Sequence, residues 1–230
     1  MKKLTLNTVY LTLLLSLLAF SAQAHALWIH TSSNTEIGKT HDFKVYYADY
    51  HENAIEALAD WYSDVEDFEL WLISPSGKKT KLETKAKEDH FEGSFAVEEK
   101  GEYQLQISHT AKVLKGTTAY QFNAYAQVWS GKGKKVSKQQ RDLSLSRKQK
   151  SSSFQVNYKG NALADASINV LGPDKENKEI LTGKKGKAKA TMERKGKYFA
   201  EVTYTDQLNA GDPSGLKAIW RCATQVIEVE

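Results

Sequence analysis

Short runs of alternating apolar and polar residues, cut by Gly, Pro and Ser, constrain this chain more than any other feature. Thr40 to Ala48 sets Phe43, Val45 and Tyr47 against Asp42, Lys44 and Tyr46, the period of a strand with one face buried. Asp67 to Ser74 continues the pattern with Phe68, Leu70 and Leu72 on one side. Ser74-Pro75-Ser76-Gly77 is a turn by composition, because proline presets φ and glycine accepts a positive one. Lys78 to Glu83 then returns as the second arm of a hairpin. Phe91 to Val97 and Tyr103 to His109 form another hairpin, and Thr117 to Trp129 is a long run carrying Tyr120, Phe122 and Tyr125.

Beyond residue 153 the same grammar resumes. Phe154 to Tyr158, Ala166 to Leu171, Ala188 to Met192, Tyr198 to Tyr204 and Ile219 to Val229 read as strands, with turns at Gly160-Asn161-Ala162 and Gly172-Pro173-Asp174. Gly101-Glu102-Tyr103 and Gly196-Lys197-Tyr198 open strands in the same way, which shared hairpin chemistry explains without a repeat. One segment departs: Glu52 to Tyr62 spaces Ile55, Leu58, Ala59 and Tyr62 as a helix does, with no Pro or Gly. The expected fold class is all-β, two Ig-like β-sandwich domains in tandem with one short helix in the first. The expected boundaries are a leader at 1–24, an N-terminal sandwich at 25–131, a basic polar linker or edge segment at 132–152, and a C-terminal sandwich at 153–230.

The leader follows from composition. Lys2 and Lys3 precede an apolar run from Val9 to Phe20, and Ala22-Gln23-Ala24 is a small-x-small cleavage signal. The run is shorter than the roughly 20 residues of a membrane span, so the mature chain is expected to be soluble and periplasmic, without membrane insertion. Ala24-His25-Ala26 offers a second cleavage point, which would remove His25. The single cysteine, Cys222, allows no internal disulfide, so stability must come from apolar cores built on five Trp, eleven Tyr and eight Phe. The formal charge of +4 falls by the two leader lysines, and a near-balanced chain gives no reason to expect nucleic acid.

Cleavage after Ala24 leaves His25 first. Its α-amine and ring Nδ1 are then close enough to grip one metal ion as a chelate. All six histidines, His25, His30, His41, His51, His90 and His109, lie in the first half of the chain, which puts any imidazole metal site in the N-terminal domain. His51 follows a strand and has Asp49 and Glu52 beside it; His109 ends another strand. His30, His41 and His90 have plainer readings as strand or turn residues. No nucleophile elbow, phosphate loop or dinucleotide motif occurs, and no catalytic set is expected. The loop from Asn209 to Gly215 is calcium-like in composition, but turn chemistry accounts for it.

The leader followed at once by His25-Ala26-Leu27-Trp28-Ile29, the Tyr47-Ala48-Asp49-Tyr50-His51 strand end, the Leu70 to Gly77 hairpin and Gly101-Glu102-Tyr103 together resemble the DUF4198 family of periplasmic proteins. That family is grouped with nickel and cobalt uptake components. The resemblance implies metal binding at His25 and His51, although Tyr50 stands where members carry glycine. The expected function is transition-metal binding that assists nickel or cobalt uptake or handling, with copper or zinc as other ions, through His25, His51 and His109. The implied partner is a membrane metal transporter or outer-membrane receptor. Two alternatives stand beside it: a copper-dependent polysaccharide monooxygenase, with Trp61, Tyr62 and Trp129 as substrate surface, and a metal-free Ig-like binding module.

Overall fold

The computed structural model describes residues 25–136, 141–147 and 151–229; the expected leader lies outside them. The first half of the chain supplies β1 (Ala26–Thr31), β2 (Asn34–Thr35), β3 (Thr40–Asp49), β4 (Ala54–Ile55), β5 (Leu70–Ile73), β6 (Lys79–Leu82), β7 (Lys85–Ala86), β8 (Phe91–Ala96), β9 (Gly101–Ala111) and β10 (Thr118–Ser130). The second half supplies β11 (Leu143–Arg147), β12 (Ser153–Tyr158), β13 (Asn161–Ala162), β14 (Ser167–Leu171), β15 (Asn177–Leu181), β16 (Lys187–Lys189), β17 (Gly196–Gln207) and β18 (Ala218–Val229). The fold is all-β and built of sandwiches, as the alternation requires. In β3, His41, Phe43, Val45 and Tyr47 are buried while Thr40, Asp42 and Lys44 are exposed.

The two units are fused through one sheet. Its order is β15-β14-β17-β18-β10-β9-β5-β6, and it reads alike from either end: a hairpin, a strand opened by Gly-x-Tyr, then a long last strand. The long strands β10 and β18 meet in parallel at the centre, with Phe122 beside Cys222 and Asn123 beside Ala223. Neighbours in register share a face, and successive residues alternate faces. Phe122 and Ala124 belong to one core, whereas Ala223 and Ile227 belong to the other, so the two cores lie on opposite faces of the common sheet. The β1-β3-β8-β7 sheet covers the first core and the β11-β12-β13 sheet, with β16, covers the second. A third cluster forms where the units meet, from Ala26, Trp28, Ala48 and Tyr50 of the first and Leu171 and Cys222 of the second. Thr224 Oγ1 donates 2.6 Å to the Leu27 carbonyl, which ties β1 to β18.

One expectation changes. The helix over Glu52–Tyr62 is absent; the segment holds β4 and a single 3-10 turn at Leu58–Asp60, followed by another at Val65–Asp67. Asp49 Oδ1 accepts the amides of His51 and Glu52 at 2.9 and 3.2 Å, and Asn53 sits at φ 56. Together these turn the chain back to pair β4 with β3. The apolar spacing is met instead by the short turns, which bury Trp61 and Val65. The segment 132–152, expected as a linker or an edge, contains β11 at the edge of the β11-β12-β13 sheet, with Leu143 and Leu145 fully buried in the second core.

The shared strand openings have one physical basis. Tyr103 Oη accepts the Glu98 and Glu99 amides at 3.0 and 2.7 Å and donates to the Glu99 carbonyl. Tyr198 Oη accepts the Arg194 amide at 3.1 Å and donates to its carbonyl at 3.0 Å. Each is a tyrosine corner, entered through a glycine at φ +131 (Gly101) or φ +129 (Gly196). A Cβ there would meet Pro75 or Pro173 at 2.9 Å. Tyr103→Phe and Tyr198→Phe strand these backbone groups, so each is expected to cost about 1–2 kcal/mol in chemical denaturation, with no change of fold by circular dichroism.

Candidate metal site around His25

His25 lies just ahead of β1, with its side chain only 11% exposed. Its ring tilts against Tyr47, 5.5 Å between centroids, and Tyr47 in turn rests on Trp61 and Phe122. Nε2 is 2.7 Å from Glu56 Oε1, a close contact that lies off the line of a hydrogen bond. Glu56 is fixed through its backbone at both ends. Its amide donates to the Tyr47 carbonyl at 3.1 Å, and its carbonyl accepts Trp61 Nε1 at 3.2 Å.

The other two expected ligands have different surroundings. His51 is exposed beyond the end of β3; the inward place goes to Tyr50, which packs on Trp28 and stacks on Phe199. His109, opposite Phe122 on β10, has Nε2 3.3 Å from Asp64 Oδ1. That oxygen also accepts the Lys112 amide at 2.8 Å. Burial pushes the Asp64 carboxyl up, but the bonds from Lys112 and His109 outweigh it and hold the group down at about 2. Among the described residues no group of three or more His, Cys, Asp or Glu side chains could hold a metal ion. The expected shell of His25, His51 and His109 is therefore not assembled: His25 meets Glu56, His109 meets Asp64, and His51 faces solvent.

The plainer histidines carry more structure than their spacing suggested. His30 and His90 flank the Tyr46 ring at 4.9 and 5.0 Å. His30 Nε2 lies 2.6 Å from Tyr50 Oη. Burial pushes the His30 ring down to about 3, with Lys197 and Lys44 adding to the effect, so the ring is neutral and shares one hydrogen bond with the Tyr50 hydroxyl. Burial likewise lowers His41, whose Nε2 meets Thr31 Oγ1 at 2.7 Å. His90 Nδ1 sits 2.6 Å from Asp89. None of these contacts is local in sequence except the last, so spacing could not have signalled them.

Trp61 and Trp129 are buried at 6% and 8% exposure and so are unavailable as a substrate surface. Tyr62 is half-buried against Tyr120 with the rings 75° apart, which is not a flat platform. In the loop 209–215, Asp212 Oδ1 accepts the Ser214 amide and hydroxyl, so the turn satisfies itself. A polar cavity of about 120 Å³ lies beside Asp174 and Arg194. An open groove of about 660 Å³ is lined by Asp42, Lys44, Glu83, Lys85 and Glu92. Histidine lines neither.

No family model matches the chain, and no curated protein matches it. Among solved structures, it is similar to a DUF4785 family protein from Legionella pneumophila, at 14% identity and a TM-score of 0.33, over 76% of this chain and 50% of that one. The chain thus spans about half the length of that protein. It is also similar to a two-domain fibronectin type-III segment of chicken tenascin, at 13% identity and a TM-score of 0.24, over 87% of this chain and 97% of that one.

Proposed function

We propose that the mature chain is a periplasmic protein that binds a divalent transition-metal ion at its processed N-terminus, in the service of nickel or cobalt uptake or handling. The observation that carries this reading is the setting of His25: a nearly buried ring held on Tyr47 beside a carboxylate, at the residue that Ala22-Gln23-Ala24 would expose. The α-amine and Nδ1 of His25 would hold the ion as a chelate. Two nitrogens leave further positions to water or to donors that arrive with the ion. Nitrogen donors suit nickel, cobalt, copper and zinc, and the resemblance to DUF4198 selects nickel or cobalt. His51 is exposed beside the strand that carries Tyr47, where it could meet a partner such as a membrane transporter. No helix among the described residues is long and apolar enough to cross a membrane. The reading assigns no catalysis.

Calorimetric titration of nickel and cobalt into two metal-free forms tests it, one beginning at His25 and one extended by a few residues before it. The form beginning at His25 is expected to bind at least about 100-fold more tightly, because extension converts the amine to an amide and leaves a single imidazole. Equal affinities would overturn the chelate. Failure of both forms to bind would overturn the metal reading and favour a metal-free Ig-like binding module.

A further inference from the structure

We infer that Glu56 is a positioning residue that keeps the proton of His25 on Nε2 and so leaves the Nδ1 lone pair free. The argument is electrostatic. An ionised carboxylate offers only acceptors. An imidazole nitrogen 2.7 Å from one is favourable when it carries hydrogen and repulsive when it presents a lone pair. Nε2 is fully buried and the Glu56 side chain is 30% exposed, so solvent screens that preference only in part. Glu56 cannot swing away by moving its backbone, because Tyr47 and Trp61 hold its amide and carbonyl. Tyr47 serves twice, anchoring Glu56 through its carbonyl and supporting the His25 ring with its own.

The consequence rests on the chelate reading. Nδ1 is the ring nitrogen that can close a chelate with the α-amine of the same residue. Nε2 points away from that amine and could not. A carboxylate on the far nitrogen therefore selects the tautomer the chelate needs.

Long-range proton–nitrogen NMR of the metal-free chain beginning at His25, at pH 8, reads the tautomer directly. The unaltered protein is expected to show Nε2 as the protonated nitrogen, with the Nδ1–H form below detection. Glu56→Leu should let the Nδ1–H form appear at the level of a free imidazole. Glu56→Gln, which keeps the shape but can donate as well as accept, tests the charge. It is expected to bind nickel about 10–100-fold more weakly with unchanged dispersion of the amide spectrum. A dominant Nδ1–H form in the unaltered protein, or nitrogen shifts identical in all three proteins, would overturn the assignment. A protein that binds no metal yet shows the Nε2–H form responding to Glu56 would sink the chelate reading and leave the positioning role standing.

Discussion

His30→Gln protein is expected to gain about 3 kcal/mol of stability relative to the unaltered chain as the pH falls from about 7 to 4.5. The cause is the seam between the two units. His30 packs there against Tyr46, Tyr50 and Phe199, and Lys197 and Lys44 face it. The folded ring resists a proton until about pH 3, against 6.5 when unfolded. A depressed base contributes stability that is fully present above the unfolded value and is lost as the pH falls toward the folded one. Glutamine does not titrate, and its carbonyl can still accept the Tyr50 hydroxyl. Glu201, whose folded carboxyl is raised to about 7, has the opposite slope and is present in both proteins. His41 contributes with the same sign as His30 but is present in both proteins and cancels in the comparison. Urea denaturation at pH 4.5, 5.5, 6.5 and 7.5, with an unchanged slope on denaturant, checks this. Parallel profiles for the two proteins would mean that the folded protein accepts the proton after all.

Much of the fold could be read from alternation alone, and the places where it could not share one reason. Strands such as β3 and β5 are half-buried, and their period of two is written into Phe43, Val45, Tyr47 and Leu70, Leu72. β11 was hidden because only Leu143 and Leu145 alternate within a basic, Ser-rich stretch, and two residues make no period. The helical spacing from Ile55 to Tyr62 was real as a burial pattern. Local side-chain bonds from Asp49 and a left-handed Asn53 decided the backbone instead. Those terms compete with helix formation within a few residues and leave hydrophobic spacing intact. Likewise, no feature of one strand reveals that β10 and β18 join two sandwiches into a single sheet. That junction depends on pairing between residues about a hundred positions apart, such as Phe122 with Cys222.

The candidate site was legible as a residue and not as a shell. His25 stood out through its place after Ala22-Gln23-Ala24, where cleavage is expected. The carboxylate beside it comes from Glu56, within a segment expected to be helical, and only the turn back onto β3 brings that side chain near. The expectation that His51 and His109 would join His25 treated histidine number as proximity. Each found a nearer partner or solvent, as polar groups generally do when a fold closes around them.

Glu201→Gln is expected to raise stability at pH 8 by about 3 kcal/mol and to leave it unchanged at pH 4.5. Glu201 lies on β17 at 6% exposure, on the seam shared with the first unit. Burial raises its carboxyl to about 7; the Cys222 thiol lowers it slightly by a hydrogen bond, and Asp49 from β3 raises it further. A raised acid has the reverse linkage of His30: its contribution is complete below the unfolded value of 4.5 and is lost as the pH rises through about 7. Above that point the folded chain must carry a buried carboxylate with another carboxylate facing it across the joint, a cost the unfolded chain avoids. Glutamine has nearly the shape of the protonated acid and never ionises, so it removes the loss without disturbing the packing of Cys222 or Thr224. Because Asp49 and Glu201 belong to different units, the strain concentrates at their junction. Amide exchange in β1 should therefore slow in the variant at pH 8 more than exchange in β12, which lies beyond the seam. An equal gain in stability at pH 4.5 and pH 8 would assign the effect to packing and remove the proton from the account.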